Sequence, residues 1–234
     1  MSLSPLELAH RLSRLEADLD ASLVSPSKAV KIHPTAVVED NVSLGPGTSV
    51  WDNAHIRHDT SLGEDCIVGG KSYIAYGVQI GNRVKINAFA YICNAVTIED
   101  GVMISAGTIF TNDRFPRAAT TDLKSLYSSD PDEHTLPTRV REGATLGAHC
   151  TIGNDLEIGR FAMVGMGSVV TKSIPDFHLA YGVPARSVGA VCRCGEPLMR
   201  FPDVAQFEEA VSCDRCGLTY HIKDRVVTEW TPPG

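Results

Sequence analysis

Residues 31–104 read KIHPTAVVEDNVSLGPGTSVWDNAHIRHDTSLGEDCIVGGKSYIAYGVQIGNRVKINAFAYICNAVTIEDGVMI. An aliphatic residue returns at every sixth position of this stretch, from Ile32 through Val38 to Ile104, and Phe110 extends the series. If about a quarter of positions were aliphatic, thirteen in phase would have odds on the order of 10⁻⁸ by chance, so the period indicates a repeat architecture. A period of six fits neither a helix nor an ordinary strand. It predicts a triangular coil with three short strands per turn, in which each repeating aliphatic points inward at a corner.

Two further features accompany the repeat. The fifth position of each hexad holds a small residue or valine, as at Ala36 and Thr48, and glycine often follows the repeating aliphatic, as in Leu44-Gly45. Glycine suits bends and close backbone approach.

The pattern stops over residues 111–139, a charged stretch with three prolines, and resumes at Val140, Leu146, Ile152, Ile158, Val164 and Val170. Since loops of this length are usually functional or disordered, we expect an excursion from one continuous all-β solenoid.

Composition excludes several classes of function. The chain has 234 residues, 43% of them hydrophobic, and a net charge of −7. A nucleic-acid surface needs a basic face, which this charge argues against. No run approaches the roughly 20 apolar residues of a membrane span, and the first 20 residues carry acids without the apolar core of a signal peptide. Seven cysteines fit a reducing compartment better than a disulfide scaffold, so we expect a cytoplasmic protein.

The N-terminal segment predicts a helix over residues 4–23. Ser4-Pro5-Leu6-Glu7 combines an N-cap serine, a proline at the first helical position and a glutamate at the third. Apolar residues then follow at helical spacing, at Leu8, Leu12, Leu15 and Leu19. The helix can pack on its own domain or between subunits, and the sequence leaves both open.

The C-terminal segment, residues 191–234, predicts a small zinc module. Cys192 and Cys194 form one close pair, Cys213 and Cys216 form another, and a glycine follows each pair. Four thiols in two pairs are typical of a tetrahedral structural zinc site, which leaves no open position for substrate. An intramolecular disulfide, a redox pair and unpaired thiols are the alternatives. A segment of about 40 residues usually needs a metal or disulfides to fold.

The hexads resemble those of the left-handed parallel β-helix of the hexapeptide-repeat acyltransferases, over about residues 31–189. The resemblance implies a homotrimer with acyl-coenzyme A bound in a cleft between neighbouring subunits. Together with the change of composition at Val191, it divides the chain into an N-terminal helix and linker (1–30), a β-helix acyltransferase domain (31–190) and the zinc module (191–234).

A narrower resemblance is to the nucleotide-sugar N-acetyltransferases, which acetylate the 3-amino group of a UDP- or dTDP-linked sugar. It rests on Trp51-Asp52-Asn53-Ala54-His55-Ile56, Lys85-Ile86, Phe110-Thr111-Asn112 with Pro116-Arg117, Gly143-Ala144-Thr145-Leu146-Gly147, and Gly182 to Arg186. The chain departs from that family after Lys85-Ile86, where Asn87-Ala88-Phe89 replaces Gln-Asn-Asn. The asparagine that would meet the sugar amine is therefore missing or displaced to Asn87.

Three hexads make one coil, so residues 18 positions apart should stack. This spacing predicts three columns: His58, Tyr76 and Asn94 below Asn112; Trp51, Gly69, Asn87 and Ser105; and His55, Tyr73 and Tyr91. We expect the polar and aromatic residues to lie on outward faces close to the excursion, where a substrate cleft could form.

Acetyl transfer to an amine needs a free-base nucleophile, a positioned thioester and donors for the developing oxyanion. A histidine is the usual general base. We predict the catalytic residues to be His55, His58, Asn87 and Asn112, although His134 in the excursion is a weaker alternative and a dedicated base is not required.

The substrates of such an enzyme carry phosphates, so cations should line their sites. The predicted residues for the nucleotide sugar are Tyr76, Asn94, Arg114 and Arg117. Those for coenzyme A, by resemblance, are Gly147, Gly165, Lys172 and Arg186.

Three other functions compete with N-acetyl transfer. The same scaffold serves O-acetylation of a sugar hydroxyl. A gamma-class carbonic anhydrase shares the fold but needs three zinc-binding histidines, and His55, His58 and His149 lack the required spacing. A non-catalytic scaffold or binding protein is the third.

Overall fold

A computed structural model describes residues 28–204, 206–230 and 232. The predicted helix over residues 4–23 lies outside these residues. Within the described part of the chain, no helix has the length and apolar content needed to cross a bilayer.

The β-helix is built from strands of two or three residues. Those before the excursion are β1 (Lys31–Ile32), β2 (Val37–Val38), β3 (Ser43–Leu44), β4 (Ser49–Val50), β5 (His55–Ile56), β6 (Ser61–Leu62), β7 (Ile67–Val68), β8 (Tyr73–Ile74), β9 (Gln79–Ile80), β10 (Lys85–Ile86), β11 (Tyr91–Ile92), β12 (Val96–Ile98), β13 (Met103–Ile104) and β14 (Ile109–Phe110). Those after it are β15 (Thr138–Val140), β16 (Thr145–Leu146), β17 (Thr151–Ile152), β18 (Leu156–Ile158), β19 (Met163–Val164) and β20 (Val169–Val170).

Longer strands complete the chain. They are β21 (His178–Gly182), β22 (Ala185–Val191), β23 (Pro197–Arg200), β24 (Glu208–Ser212), β25 (Thr219–Lys223) and β26 (Val226–Glu229).

Three parallel sheets form the sides of the coil. The first runs β1-β4-β7-β10-β13-β16-β19 and continues through β21, β22 and β23; the second runs β2-β5-β8-β11-β14-β17-β20; the third runs β3-β6-β9-β12-β15-β18. Residues 18 positions apart are register partners, as in Ile32↔Val50 and His55↔Tyr73. The prediction of an all-β parallel β-helix with three strands per coil is confirmed.

The sequence pattern predicts that the repeating aliphatic lies at a corner of the coil. The structure places it on a flat side instead. It is the second residue of each strand, as at Ile56 in β5, and the turn follows two and three residues later. The third residue after it has a positive φ, for example 53° at Asn53 and 62° at Phe89. This corner conformation is the one that glycine and asparagine adopt most easily.

The glycine that follows the aliphatic permits close approach between coils. A Cβ at Gly69 would lie 2.5 Å from the backbone nitrogen of Ala88, and one at Gly45 would lie 2.4 Å from the carbonyl carbon of Gly63. Neither glycine has a positive φ, so of the two roles expected for these residues, close approach is the one that the structure supports.

The core is the repeat itself. From Val50 to Val170 the repeating aliphatics are at most 5% exposed, and fifth-position residues such as Thr48 and Thr60 are at most 1% exposed. Each of these buried hydroxyls donates to a carbonyl 15 residues on, at 2.9 Å, so both are paired in the interior.

The excursion leaves the coil after β14 and returns at β15. Its strand pairing resumes at Thr138, one residue before the predicted end at Arg139. Antiparallel bridges join Asp113 to Thr135 and Ala119 to Leu126, so the excursion folds back on itself.

The C-terminal segment packs on the last coils. Strands β24, β25 and β26 form a fourth, antiparallel sheet. A second apolar cluster joins this sheet to the coil, with Phe177, Tyr220 and Ile222 at most 3% exposed. The predicted boundary at residues 190 and 191 falls within β22, which belongs to the first sheet.

Candidate functional site

One polar column runs along the corner that follows the second sheet. The rings of His58 and Tyr76 stack with centroids 5.3 Å apart and an interplanar angle of 5°. The amide of Asn94 donates to the Tyr76 hydroxyl at 2.9 Å, and the amide of Asn112 donates to the side-chain oxygen of Asn94. The structure thus brings together four predicted site residues over four coils, ending where the excursion begins.

A second column lies on the outward face of the second sheet. The edge of His55 meets the ring of Tyr73 at 5.3 Å, and Tyr73 stacks on Tyr91 at 5.3 Å. Tyr91 pairs in register with Ile109 in β14, the last strand before the excursion.

Glu39, one coil below, connects the two histidines and was missed by the sequence analysis. Its carboxylate lies 2.7 Å from Nε2 of His55 and accepts the backbone N–H of His58 at 3.0 Å. Arg57 donates to the same carboxylate at 2.8 Å and to the Tyr73 hydroxyl at 2.8 Å. The hydrogen bond from Arg57 is the main reason that the pKa of Glu39 falls to about 2, so Glu39 is ionised at neutral pH. The 18-residue spacing between Glu39 and Arg57 was the signal that could have found it.

Each histidine has one ring nitrogen bound to a carboxylate. Nδ1 of His58 lies 2.7 Å from Asp59, and this hydrogen bond lowers the pKa of the Asp59 carboxyl. A carboxylate only accepts, so the bound nitrogen carries the proton and a neutral ring keeps its lone pair on the other nitrogen. This nitrogen is Nε2 in His58 and Nδ1 in His55, and either could accept a proton from a substrate.

A cysteine nucleophile does not fit this region. Cys93 is the neighbour of Asn94 in sequence and is 3% exposed. Burial raises the pKa of its thiol to about 12. The thiol is therefore protonated at neutral pH and unreactive.

The predicted arginines of the excursion are exposed and lie outside the column. Arg114 packs over the ring of Phe115 at 5.6 Å, and that ring meets His134 edge-on at 5.9 Å. Arg117 donates to the carbonyl of Pro116 at 2.9 Å. Both guanidinium groups have exposed faces near the point where the excursion leaves the corner.

Asn87 belongs to a different column, which follows the first sheet. The register Ile86↔Ile104↔Leu146↔Val164 places Asn87 in line with Ser105, Gly147 and Gly165. The structure describes no contact between Asn87 and the column of His58. The residue predicted to meet the sugar amine therefore lines up with two glycines predicted for coenzyme A.

The two glycines of this column let adjacent coils approach closely. A Cβ at Gly147 would lie 2.5 Å from the backbone nitrogen of Met166, and one at Gly165 would lie 2.9 Å from Cβ of Tyr181.

Lys172 and Arg186 lie near the end of the coil. Lys172 is exposed, two residues after β20. Arg186 is exposed near the start of β22, beyond the two-residue loop Val183-Pro184, whose peptide bond is cis. No described contact joins the two cations.

The four cysteines converge. Sγ of Cys192 lies 3.4 Å from that of Cys216, Sγ of Cys194 lies 3.6 Å from that of Cys213, and all four lie within 4.8 Å of one another. A tetrahedron with Zn–S bonds of about 2.3 Å has edges of about 3.8 Å, so the donor set fits zinc. In the described part of the chain this is the one convergence of three or more metal-ligating side chains.

Tyr220 supports the cysteine site and was not anticipated. Its side chain is fully buried, its hydroxyl lies 3.1 Å from Sγ of Cys192, and it accepts the backbone N–H of Arg193 at 3.0 Å. Outer groups of this kind orient metal ligands. No periodicity or spacing in the sequence relates Tyr220 to the cysteine pairs.

The sequence matches two families of repeats. It matches the bacterial transferase hexapeptide (six repeats) at residues 41–76 and 77–112, and the hexapeptide repeat of succinyl-transferase at residues 59–94 and 137–172. The matched segments coincide with the coils on both sides of the excursion.

Curated relatives share parts of the chain. A dTDP-3-amino-3,6-dideoxy-alpha-D-galactopyranose 3-N-acetyltransferase from Aneurinibacillus thermoaerophilus is 42% identical over 92 residues, which are 39% of this chain and 44% of that protein. A serine acetyltransferase from Escherichia coli (strain K12) is 47% identical over 51 residues, which are 22% of this chain and 19% of that protein. The matches thus span less than half the length of these relatives.

Solved structures of acetyltransferases also resemble the chain. A galactoside acetyltransferase in complex with coenzyme A is 28% identical, with a TM-score of 0.47, covering 56% of this chain and 64% of that one. The acetyltransferase domain of PglB from Neisseria gonorrhoeae FA1090, in complex with acetyl coenzyme A, is 20% identical, with a TM-score of 0.42, covering 76% of this chain and 65% of that one.

Proposed function

We propose that this chain, whose coils match hexapeptide-repeat transferase families at residues 41–112 and 137–172, moves an acetyl group from acetyl-coenzyme A to an amino group of a nucleotide-linked sugar. The observation that carries the proposal is the 42% identity over 92 residues to a 3-N-acetyltransferase of a dTDP-amino sugar. The polar column from His58 to Asn112, which reaches the excursion, supports it by placing an oriented base in line with the side-chain amides of Asn94 and Asn112.

In the proposed reaction the amine nitrogen attacks the thioester carbonyl, the C–S bond breaks, and coenzyme A leaves as a thiolate. Nε2 of His58 accepts the amine proton, or the departing thiolate takes it. Asp59 holds the histidine by its Nδ1–H at 2.7 Å. General base catalysis by a positioned side chain contributes about 10²–10⁴ in rate.

The remaining assignments complete the site. Asn112 and Asn87 are proposed to bind the reacting groups, and Tyr76 and Asn94 to bind the sugar. Arg114 and Arg117 are proposed to meet the nucleotide phosphates, for which an exposed guanidinium is well suited.

The coenzyme is proposed to lie along the first sheet. Gly147 and Gly165, which lie in register beside this sheet, are proposed to line its site. Lys172 and Arg186 are proposed to meet its phosphates near the last coil. Both residues are exposed and lie beyond the final hexads.

The proposal includes one structural zinc per chain, a homotrimer and a cytoplasmic location. The converging thiols support the zinc, and a reducing compartment would keep them free to bind it. An apolar face on the second sheet supports the trimer, since Val37, Tyr91 and Ile109 are 44–52% exposed. Light scattering should give three chains per particle, and elemental analysis should give one zinc per chain; a monomer or a metal-free folded protein would contradict these parts.

The activity is tested by release of free coenzyme A from acetyl-coenzyme A with a panel of dTDP- and UDP-linked 3-amino sugars. The matched control is the same sugar with a hydroxyl in place of the amine. We expect a mass increase of one acetyl group on the amino sugar alone. A protein that does not bind acetyl-coenzyme A in calorimetry would refute the proposal.

A hydroxyl acceptor is the second candidate. It is favoured by the 47% identity over 51 residues to a serine acetyltransferase. Acetylation of the hydroxyl control and not of the amino sugar would establish it instead.

A further inference from the structure

The cysteine site and Arg186, which is proposed to bind coenzyme A, lie at the two ends of one strand. Arg186 is the second residue of β22, and Cys192 directly follows its last residue, Val191. Cys192 and Cys194 lie in the turn between β22 and β23, whereas Cys213 and Cys216 lie between β24 and β25. A metal held by the four thiolates therefore joins the strand that carries Arg186 to a different sheet.

A buried histidine makes a second connection between the same parts. His178 in β21 is 4% exposed, and burial lowers its pKa, so it is neutral. The carbonyl of Arg225 can only accept, so Nε2–H of His178 donates to it at 2.8 Å. Nδ1 then accepts from the hydroxyl of Ser187 in β22 at 2.8 Å. The side chain thus ties β22 to the turn between β25 and β26.

Aromatic packing fills the space between the metal ligands and the coil. Phe177 stacks on Phe161 at 5.6 Å and meets Tyr220 edge-on at 5.6 Å. The Tyr220 hydroxyl reaches Cys192, and Arg193 lies over the ring of Phe161 at 4.2 Å. Movement of the cysteine pair would disturb these contacts.

Strands β21 and β22, which form an antiparallel hairpin, are anchored differently. β21 pairs with β19 of the coil, through Met163↔Leu179 and Val164↔Ala180. β22 has β21 on one side and β23 on the other, and β23 is reached through the cysteine turn. Of the two strands, β22 is therefore the one whose position depends on the metal site.

We propose that metal bound by the four cysteines positions β22, and with it Arg186, for coenzyme binding. Cys192 and His178 are positioning residues in this arrangement. The inference rests on the proposed function, because it takes Arg186 as a coenzyme ligand. If metal loss leaves β22 correctly placed in a tenth of the molecules, the affinity for coenzyme A falls about tenfold.

The test compares the full-length protein loaded with zinc, stripped by a chelator, and reloaded. Coenzyme A affinity is measured by calorimetry and zinc content by elemental analysis. We expect binding about tenfold weaker on stripping, restored on reloading. KM for acetyl-coenzyme A should rise in step while kcat at saturation is unchanged, a split that general loss of structure would not produce. Cys216→Ser, at the exposed ligand, should reproduce the stripped state, and Cys66→Ser, outside the cluster, should behave as wild type.

Each remaining outcome is decisive. An unchanged dissociation constant in the stripped protein overturns the inference. If stripping unfolds the chain, Tyr220→Phe with full zinc decides: weaker coenzyme binding supports the inference and unchanged binding overturns it. If the loaded protein does not bind coenzyme A, the proposed function fails, and hydrogen exchange along β22 tests the positioning alone. Faster exchange on stripping supports the positioning, and unchanged exchange overturns it.

Discussion

The cost of truncating a repeating isoleucine should depend on which coil carries it. Ile86 and Ile32 occupy the same column, three coils apart, but Ile86 is 1% exposed and Ile32 is 48% exposed. Ile86→Ala removes three buried carbons, worth about 2.4 kcal/mol of transfer free energy at about 0.8 kcal/mol each. The cavity left behind raises the cost to about 3–4 kcal/mol, within the usual range of about 2–5. Ile32→Ala removes the same atoms from a half-exposed site that water can fill, so about 1 kcal/mol is expected.

Urea unfolding at equal protein concentration measures both variants against wild type. Tryptophan fluorescence and circular dichroism should give the same transition, since a solenoid can unfold in parts and then no single free energy of unfolding applies. We expect the midpoint to fall clearly for Ile86→Ala and slightly for Ile32→Ala. Equal shifts would refute the reasoning, because they would mean that the first coil is as well covered as the fourth.

Three other predictions concern the site and the coils. Tyr76→Phe removes one hydrogen bond of about 1 kcal/mol, so KM for the nucleotide sugar should rise about fivefold; an unchanged KM would remove Tyr76 from the sugar site. Arg57→Gln removes the main cause of the low pKa of Glu39, so an NMR titration should show this pKa rising from about 2 toward its usual value. A carboxyl whose pKa is lower in the folded than in the unfolded state adds stability at pH values above the unfolded-state pKa. This added stability is lost as pH falls through the folded-state pKa, so wild type should keep it to lower pH than the variant. Gly69→Ala places a Cβ 2.5 Å from the backbone of the next coil and should lower stability by about 1–3 kcal/mol, whereas Asn87→Ala in the same column should be nearly neutral; similar values would argue against close approach as the role of this glycine.

The sequence predicts the coil well because a single constraint repeats. Each hexad must place one apolar side chain over its counterpart 18 residues away, so the period determines strand spacing, register and core together. The corners were misplaced because the period does not reveal its phase relative to the turns. That phase is set by backbone sterics at residues such as Asn53 and Phe89, which have positive φ.

The site is predictable only as far as the period extends. The column of His58, Tyr76 and Asn94 follows from spacing alone, and Glu39 beneath Arg57 could have been found in the same way. Asn87 was expected close to the excursion. The 18-residue spacing predicts which residues share a column but not the side of the coil on which that column lies. His178 and Tyr220 were missed because they act beyond the last hexad, through contacts 47 and 28 residues apart in sequence.

The change of direction after β21 limits the length of the solenoid. Every earlier strand of the first sheet is parallel to its neighbour, but β22 runs antiparallel to β21. A parallel coil stacked beyond β22 would have to pair against the reversed strand, so growth stops there whatever hexads follow. Length can change upstream: inserting one 18-residue coil before β21 would extend the body by about 4.8 Å, the spacing between neighbouring strands, and would carry the terminal hairpin along unchanged. The β21–β22 hairpin thus ends the solenoid wherever it is placed, and the number of coils before it can vary.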